Sequence, residues 1–230
     1  MRLQGQVLIF DADDTLWENN VRFERVIDDF LDWLEHPTRD RAAIRAVLDD
    51  VEAANSVAHG YGARVFLRSL GECLERLTQR PTTREERRRL DALAAALLDH
   101  RVDLLPGVSE TLEELGTRHD MFLLTKGDPD EQQGKLEASG LRSYFRSVRI
   151  VPEKDVATYR SLAAELSLPL ATTWMVGNSP RSDVLPARQA GMRAVFLPND
   201  NTWALEHMEM DFDDDGILTL TAFPDLLGHF

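Results

Sequence analysis

Val7-Leu8-Ile9-Phe10-Asp11-Ala12-Asp13-Asp14-Thr15 is the stretch on which the reading of the chain turns. Four consecutive apolar residues bounded by a cluster of acids read as a short strand buried on both faces, the kind that sits in the middle of a parallel sheet. The run Val7 to Phe10 is too short for a signal-peptide core, and no apolar run approaches the length needed to span a membrane. A soluble, cytoplasmic protein is the expectation.

Downstream of this strand the apolar period becomes helical, from about residue 21 to 100. Phe23, Ile27, Phe30 and Leu34 share one stripe, Ile44, Val47, Val51 and Ala54 a second, Phe66, Leu70, Cys73 and Leu77 a third, and Leu90, Leu93 and Leu97 a fourth. Pro37, Gly60 with Gly62, and Pro81 separate them, and Thr83 followed by Glu86 makes a capping box for the fourth helix. After Pro106-Gly107 strands and helices alternate. Val108, Leu112 and Leu115 form a helix stopped at Gly116, followed by the strand Met121 to Leu124. A helix from about Pro129 to Gly140 precedes a strand at Val148 to Val151. A helix carrying Val156, Tyr159, Leu162 and Leu166 precedes the strand Trp174 to Val176, and a helix ending near Gly191 precedes Ala194 to Leu197. That alternation implies βαβ units and an α/β, doubly wound (Rossmann-like) parallel sheet. The first strand belongs to the same grammar, so the helical block is an insertion: a core of residues 1–15 and 105–230, and a helical-bundle cap of residues 16–104.

The chain has 230 residues, with 40 Asp and Glu against 26 Lys and Arg and a net charge of −14. At 43% hydrophobic and 29% charged it can bury a core, which excludes whole-chain disorder. The acidic excess repels polyanions, so nucleic acid and anionic membrane surfaces are not expected partners. Cys73 is the single cysteine, which rules out an intrachain disulfide and a thiolate zinc cluster; on an apolar stripe it reads as inert. The histidines His36, His100, His119, His207 and His229 show no metal-ligand spacing and read as surface or helix-end residues. The acidic run Asp211 to Asp215 reads as a solvated loop.

Ligands of open α/β sheets bind at the carboxyl ends of the strands. There the chain places Asp11-Ala12-Asp13-Asp14-Thr15, then Thr125-Lys126-Gly127, then Lys154, then Gly177-Asn178-Ser179-Pro180-Arg181-Ser182-Asp183. Carboxylates and amide oxygens around one point repel each other unless a cation sits among them, and such hard oxygen donors favour Mg²⁺. A lysine and a threonine hydroxyl in the same place suit the oxygens of a phosphoryl group.

In these residues the sequence resembles the haloacid dehalogenase superfamily of phosphohydrolases. Its D-x-D-x-T motif matches Asp11 to Thr15, its strand-ending Thr or Ser matches Thr125, its isolated Lys matches Lys154, and its acidic Gly-Asp-x-x-x-x-Asp pattern matches Gly177 to Asp183, with Asn178 in place of the first Asp. The resemblance covers the core; the cap is recognisable only by position and helical character. It implies that Asp11 attacks phosphorus to give a phosphoaspartate that water hydrolyses, while Asp13 protonates the leaving oxygen and then deprotonates that water. It implies Mg²⁺ held by Asp11, the Asp13 backbone carbonyl, and Asn178 or Asp183, with Thr125 and Lys154 on the phosphoryl group. Asn178 lowers the charge of the metal's surroundings and so the expected affinity. The family's dehalogenases need neither a metal nor the second acid, whereas Asp13 and Asp183 are both present. A phosphonate-cleaving relative needs a cap lysine, and the only lysines are Lys126, Lys135 and Lys154.

Candidate substrate contacts are Trp17, Asn20, His59, Tyr61, Arg64, Lys126 and Gly127. Each has a plainer reading. Trp17 is equally a packing anchor, His59 to Arg64 equally an interhelix turn, and Lys126 a solvent-facing loop charge. Thr15 either ties the loop after the nucleophile or touches substrate, and Arg181 reads as structural or solvated. The expected function is a Mg²⁺-dependent phosphohydrolase acting on a small phosphorylated metabolite. A phosphomutase would reuse the same aspartyl phosphate; a phospho-receiver, or a binding protein with a retired site, would release no alcohol from an ester.

Overall fold

The computed structural model describes residues 2–34, 36, 38–98, 101–211 and 214–230, with Ala96 described by its backbone alone. The breaker Pro37, His100 and Asp213 of the acidic run lie outside the described residues. The elements run β1 (Val7–Phe10), α1 (Asn20–Trp33), α2 (Arg41–His59), α3 (Ala63–Thr78), α4 (Arg84–Ala94), α5 (Val108–Leu115), β2 (Asp120–Lys126), α6 (Pro129–Ser139), β3 (Ser147–Val151), α7 (Val156–Leu166), β4 (Thr173–Gly177), α8 (Leu185–Gln189), β5 (Arg193–Phe196) and β6 (Ile217–Thr219). By its contacts the chain divides into two compact units, Met1–Asn20 with Val102–Phe230, and Val21–Arg101.

The first unit is built on a six-stranded sheet of order β3-β2-β1-β4-β5-β6, all pairs parallel, which is the expected α/β architecture. β1 lies at its centre, with Phe10 level with Leu123 of β2 and Val176 of β4. Successive side chains leave opposite faces of a strand. Leu8 and Phe10 therefore join one apolar layer with Leu112, Leu136, Phe145 and Phe223, while Val7 and Ile9 join the other with Tyr159, Leu162, Ala187 and Met192. Each fully buried side chain of this kind contributes about 2 kcal/mol. The sixth strand, β6, was not visible in the apolar pattern: it has three residues, none fully buried.

The second unit is helical, with its own core drawn from Phe30, Leu48, Val51, Leu70, Cys73 and Leu74. Its helices start where the sequence offers caps. Asp40 accepts a hydrogen bond from the Ala43 N–H at 2.8 Å, and the Thr83–Glu86 capping box is formed. The second expected stripe is rotated: Ala54 is exposed, and Leu48 and Asn55 are buried with Ile44 and Val51. Cys73 is buried, and that burial pushes its thiol up to about 12, consistent with inertness. Among the described residues no helix is long and apolar enough to cross a membrane.

Candidate active site

β1 delivers Asp11 into the crevice between its two neighbours. The Asp11 N–H continues the sheet by donating to the Val176 carbonyl at 2.9 Å, which fixes where its side chain emerges. Lys154 is positioned by the helix that follows it: Asp155 caps α7 by accepting from the Thr158 N–H at 2.8 Å, and Lys154 is held one residue before that cap. Asp183 is carried by a π-helical turn, Pro180–Val184, whose first turn is closed by Ser179. The Ser179 N–H donates to Asp183 Oδ2 at 3.0 Å, and the Tyr159 hydroxyl donates to the Ser182 carbonyl at 2.8 Å. Gly177 makes this turn possible. A Cβ there would lie 2.2 Å from Asp183 Oδ2, so only glycine lets the carboxylate fold back over the end of β4.

These pieces meet. Lys154 Nζ donates to Asp183 Oδ1 at 2.7 Å and forms a close ion pair with Asp11 Oδ1, with all three side chains buried. The Thr15 hydroxyl, also buried, lies 3.1 Å from Asp11 Oδ2 and 3.2 Å from Asn178 Oδ1, so Thr15 ties the loop to the proposed nucleophile. Asn178 donates from Nδ2 to the Thr202 hydroxyl at 2.9 Å, which leaves its oxygen on the Asp11 side. Thr125 is buried on β2, two residues beyond Leu123, the partner of Phe10.

The charge balance of the cluster is negative: two buried carboxylates share one ammonium. Burial pushes the Asp11 carboxyl well above the usual range, the Lys154 charge pulls it back and the Asp183 charge raises it again. Burial alone would lower the Lys154 pKa, but the charges of Asp11 and Asp183 and their hydrogen bonds hold it above the ordinary lysine value. Among the described residues no group of three His, Cys, Asp or Glu is arranged around one point. The oxygen set is instead mixed: the carboxylates of Asp11 and Asp183 and the amide oxygen of Asn178. Hard oxygen donors with a surplus negative charge fit a small divalent cation such as Mg²⁺.

Asp13 belongs to a neighbouring group. Its carboxylate accepts from Trp17 Nε1 at 2.7 Å, from Gln132 Nε2 at 2.8 Å and from Lys135 Nζ at 3.1 Å to each oxygen. Lys135 and Gln132 were missed in the sequence, where a lysine on α6 looks like surface charge. A recoverable signal is their spacing of three, which puts both on one face of the helix that follows Thr125. Asp14 was missed as well. It is buried at φ 58°, accepts the N–H groups of Asn19 and Asn20 at 2.9 and 3.0 Å, and is pushed by burial up to about 7, with the bond from Asn19 opposing the rise.

Lys126 departs from expectation. It is not a solvent-facing loop charge: it ends β2 and is paired with Glu206 at 2.5 Å and the Ser182 hydroxyl at 2.8 Å. Glu206 also accepts from the hydroxyls of Ser179 and Ser182. Burial would raise its pKa, but the Lys126 charge and these donors hold it below the usual value. His119 is not a surface residue either: it is buried, accepting the Gln6 N–H on Nδ1, because it packs against Phe230 beneath the sheet. Asp214, in the acidic run, is paired with Arg188.

Trp17 is fully buried and packs as an anchor while holding Asp13. Asn20 is buried and donates to the Asn201 carbonyl. Gly127 adopts φ 143° and leaves room for Gln132, whose Nε2 would lie 3.0 Å from a Cβ at that position. Arg181 donates to the Leu205 carbonyl at the surface. His59, Tyr61 and Arg64 lie in the helical unit, in and beside the turn between α2 and α3, and Arg64 lines a cavity of about 520 Å³ within that unit.

Comparison with known proteins identifies the family. The family model for haloacid dehalogenase-like hydrolases matches residues 6–191. The chain belongs to this family. It is 31% identical over 177 residues to a phosphoserine phosphatase from Thermus thermophilus, covering 73% of this chain and 68% of that one. Among solved structures, a haloacid dehalogenase-like family hydrolase from Xanthomonas campestris superposes with a TM-score of 0.79 at 27% identity, covering 96% of this chain and 92% of the other. An L-2-haloacid dehalogenase from Xanthobacter autotrophicus shares the fold at a TM-score of 0.65 and 20% identity, covering 98% and 100%. This haloacid dehalogenase-like hydrolase thus has both a phosphatase and a dehalogenase among the proteins it is similar to.

Proposed function

We propose that the protein is a Mg²⁺-dependent phosphohydrolase that cleaves a small phosphomonoester through a phosphoaspartate on Asp11. The observation that carries this reading is the buried Asp11–Lys154–Asp183 cluster at the carboxyl end of β1, with a second acid, Asp13, two residues on. Asp11 attacks phosphorus in line, and the P–O bond to the alcohol breaks as the Asp11–phosphorus bond forms. Asp13 gives a proton to the leaving oxygen, then takes one from the water that cleaves the acyl phosphate, which returns Asp11 to its carboxylate. Lys154 and the Thr125 hydroxyl bind the phosphoryl oxygens, and Lys154 keeps Asp11 oriented. Bound through Asp11, the Asp13 carbonyl, Asn178 and Asp183, Mg²⁺ would supply positive charge against the repulsion between carboxylate and phosphate.

The similarity to a phosphoserine phosphatase makes O-phosphoserine the first ester to try. The test is a panel of small phosphate esters scored for phosphate release with Mg²⁺ and after chelation. Release that depends on Mg²⁺ is the expected result. Halide release from a short 2-haloacid, with no phosphate release from any ester, would overturn the reading in favour of the dehalogenase chemistry of the Xanthobacter relative.

A further inference from the structure

Asp13 stands apart from the Asp11 cluster in how it is held. An aspartate at the end of a strand loop has a free χ1 and χ2 and would ordinarily sample several rotamers. Here both carboxylate oxygens are engaged: Trp17 Nε1 on Oδ1, Gln132 Nε2 on Oδ2, and Lys135 Nζ across both. Lys135 is itself buried and reaches Asn19 Oδ1 at 2.8 Å and Glu131 at 3.4 Å, so its ammonium is fixed from several sides.

Gln132 shows what this arrangement costs. Its amide nitrogen donates to Asp13 and to the Lys126 carbonyl at 2.9 Å, and its Oε1 is buried with no hydrogen-bond partner. Turning the amide over would aim Oε1 at two acceptors, so the orientation is set by Asp13 and the Lys126 carbonyl. An unsatisfied buried oxygen destabilises the fold. Gly127 adds a second sign of construction, because a side chain there would press on the Gln132 amide. The cluster leaves the Asp13 side chain 23% exposed, so it is held without being sealed off.

We propose that Lys135 and Gln132, with Trp17, are positioning residues that fix the rotamer of Asp13 for proton transfer to the leaving oxygen. This rests on the phosphohydrolase reading, in which the Asp13 carboxyl proton moves to the ester oxygen while its P–O bond breaks. Positioning an acid matters most when the leaving group is a poor one: an alkoxide needs the proton in the transition state, whereas p-nitrophenolate leaves without it.

The experiment compares kcat/KM for p-nitrophenyl phosphate and for the alkyl ester turned over fastest in the panel above, in the parent protein, Lys135→Met, Gln132→Met and Asp13→Asn. Thermal unfolding of each variant reports folding separately. Lys135→Met is expected to lose about tenfold or more on the alkyl ester while keeping p-nitrophenyl phosphate within about twofold, and Gln132→Met to show the same pattern more weakly. If Lys135→Met does not fold, Gln132→Met carries the test. Equal losses on both esters, or no loss on either, would overturn the positioning role if Asp13→Asn itself discriminates between them. If Asp13→Asn does not discriminate, the acid role of Asp13 fails, and the positioning role fails with it.

Discussion

The α/β core and the helical unit handle charge in opposite ways. The core buries Asp11, Asp14, Lys135, Lys154, Asp183 and Glu206, all at or near the carboxyl ends of its strands. In the helical unit, Glu52 is the charged residue among those described that is buried, and the ion pairs lie at or near the surface: Arg41 with Asp28, Arg80 with Glu86, and a half-buried Arg45 with Glu24 and Asp49. Exposed pairs contribute about 0–1 kcal/mol each, whereas a buried charge is tolerated only with a partner and still costs stability. The helical unit is thus organised for folding, and the strand ends of the core, on the proposed mechanism, for chemistry. The same chain devotes apolar stripes to one task and destabilising charges to the other.

The contrast breaks most visibly at Asp11. Asp11→Asn should lower phosphate release by a factor on the order of 10⁴ or more, and it should leave thermal stability unchanged or raised, because it removes one of two carboxylates that share an ammonium. A stability loss with retained turnover would make Asp11 a structural residue. Removing the ammonium tests the other side. Lys154→Met leaves Asp11 and Asp183 facing each other without a counter-charge, and urea unfolding should show a loss of about 3–5 kcal/mol.

In the helical unit the expected effects come from packing. Leu70 is fully buried among Phe30, Leu48 and Leu74, and Leu70→Ala should cost about 2–5 kcal/mol, seen by calorimetry as a lowered transition. A loss below about 1 kcal/mol would mean the stripe is not a packed core. The smallest effect is a pH dependence in the core. The Asp14 pKa is raised from 3.8 to about 7 in the folded chain, so between those values the folded state keeps a proton that the unfolded state releases, and stability falls as pH rises through this window. Asp14→Asn cannot ionise, keeps an acceptor oxygen and suits φ 58°. Relative to the parent it should gain about 1–2 kcal/mol at about pH 8 and nothing near about pH 4, after discounting for weaker bonds to the Asn19 and Asn20 N–H groups. An unchanged difference at the two pH values would contradict the burial argument.

How much could be read without the structure follows the same division. β1 was legible because four apolar residues end at D-x-D-x-T, and the helical stripes were legible because a 3.6-residue apolar period punctuated by breakers is what an amphipathic helix requires and a strand cannot use. The rule that ligands gather at strand ends pointed to Asp11, Lys154 and the run Gly177 to Asp183, and the family resemblance singled out Asp183 within that run. Asp13 was located, but its partners were not. α6 buries Gln132, Lys135 and Leu136, so its inward face carries no apolar stripe, and a buried lysine is indistinguishable in sequence from a surface one. Glu206 lies in a short 3₁₀ turn far along the chain, with no period to announce it, and it was the missing partner that made Lys126 look solvated. β6 escaped because an edge strand of three half-buried or exposed residues leaves no mark in hydropathy.

On the proposed mechanism, Asp11 carries the phosphoryl group during turnover. The most direct test of this is acid quenching of the protein during steady-state hydrolysis of its best ester, followed by peptide mass analysis. The mechanism predicts a phosphate adduct on the peptide containing Asp11, dependent on substrate and absent in Asp11→Asn. Turnover of p-nitrophenyl phosphate without any adduct, in a protein whose Asp13 has been changed to Asn to slow dephosphorylation while this ester still phosphorylates Asp11 without an acid, or an adduct on another residue, would contradict it.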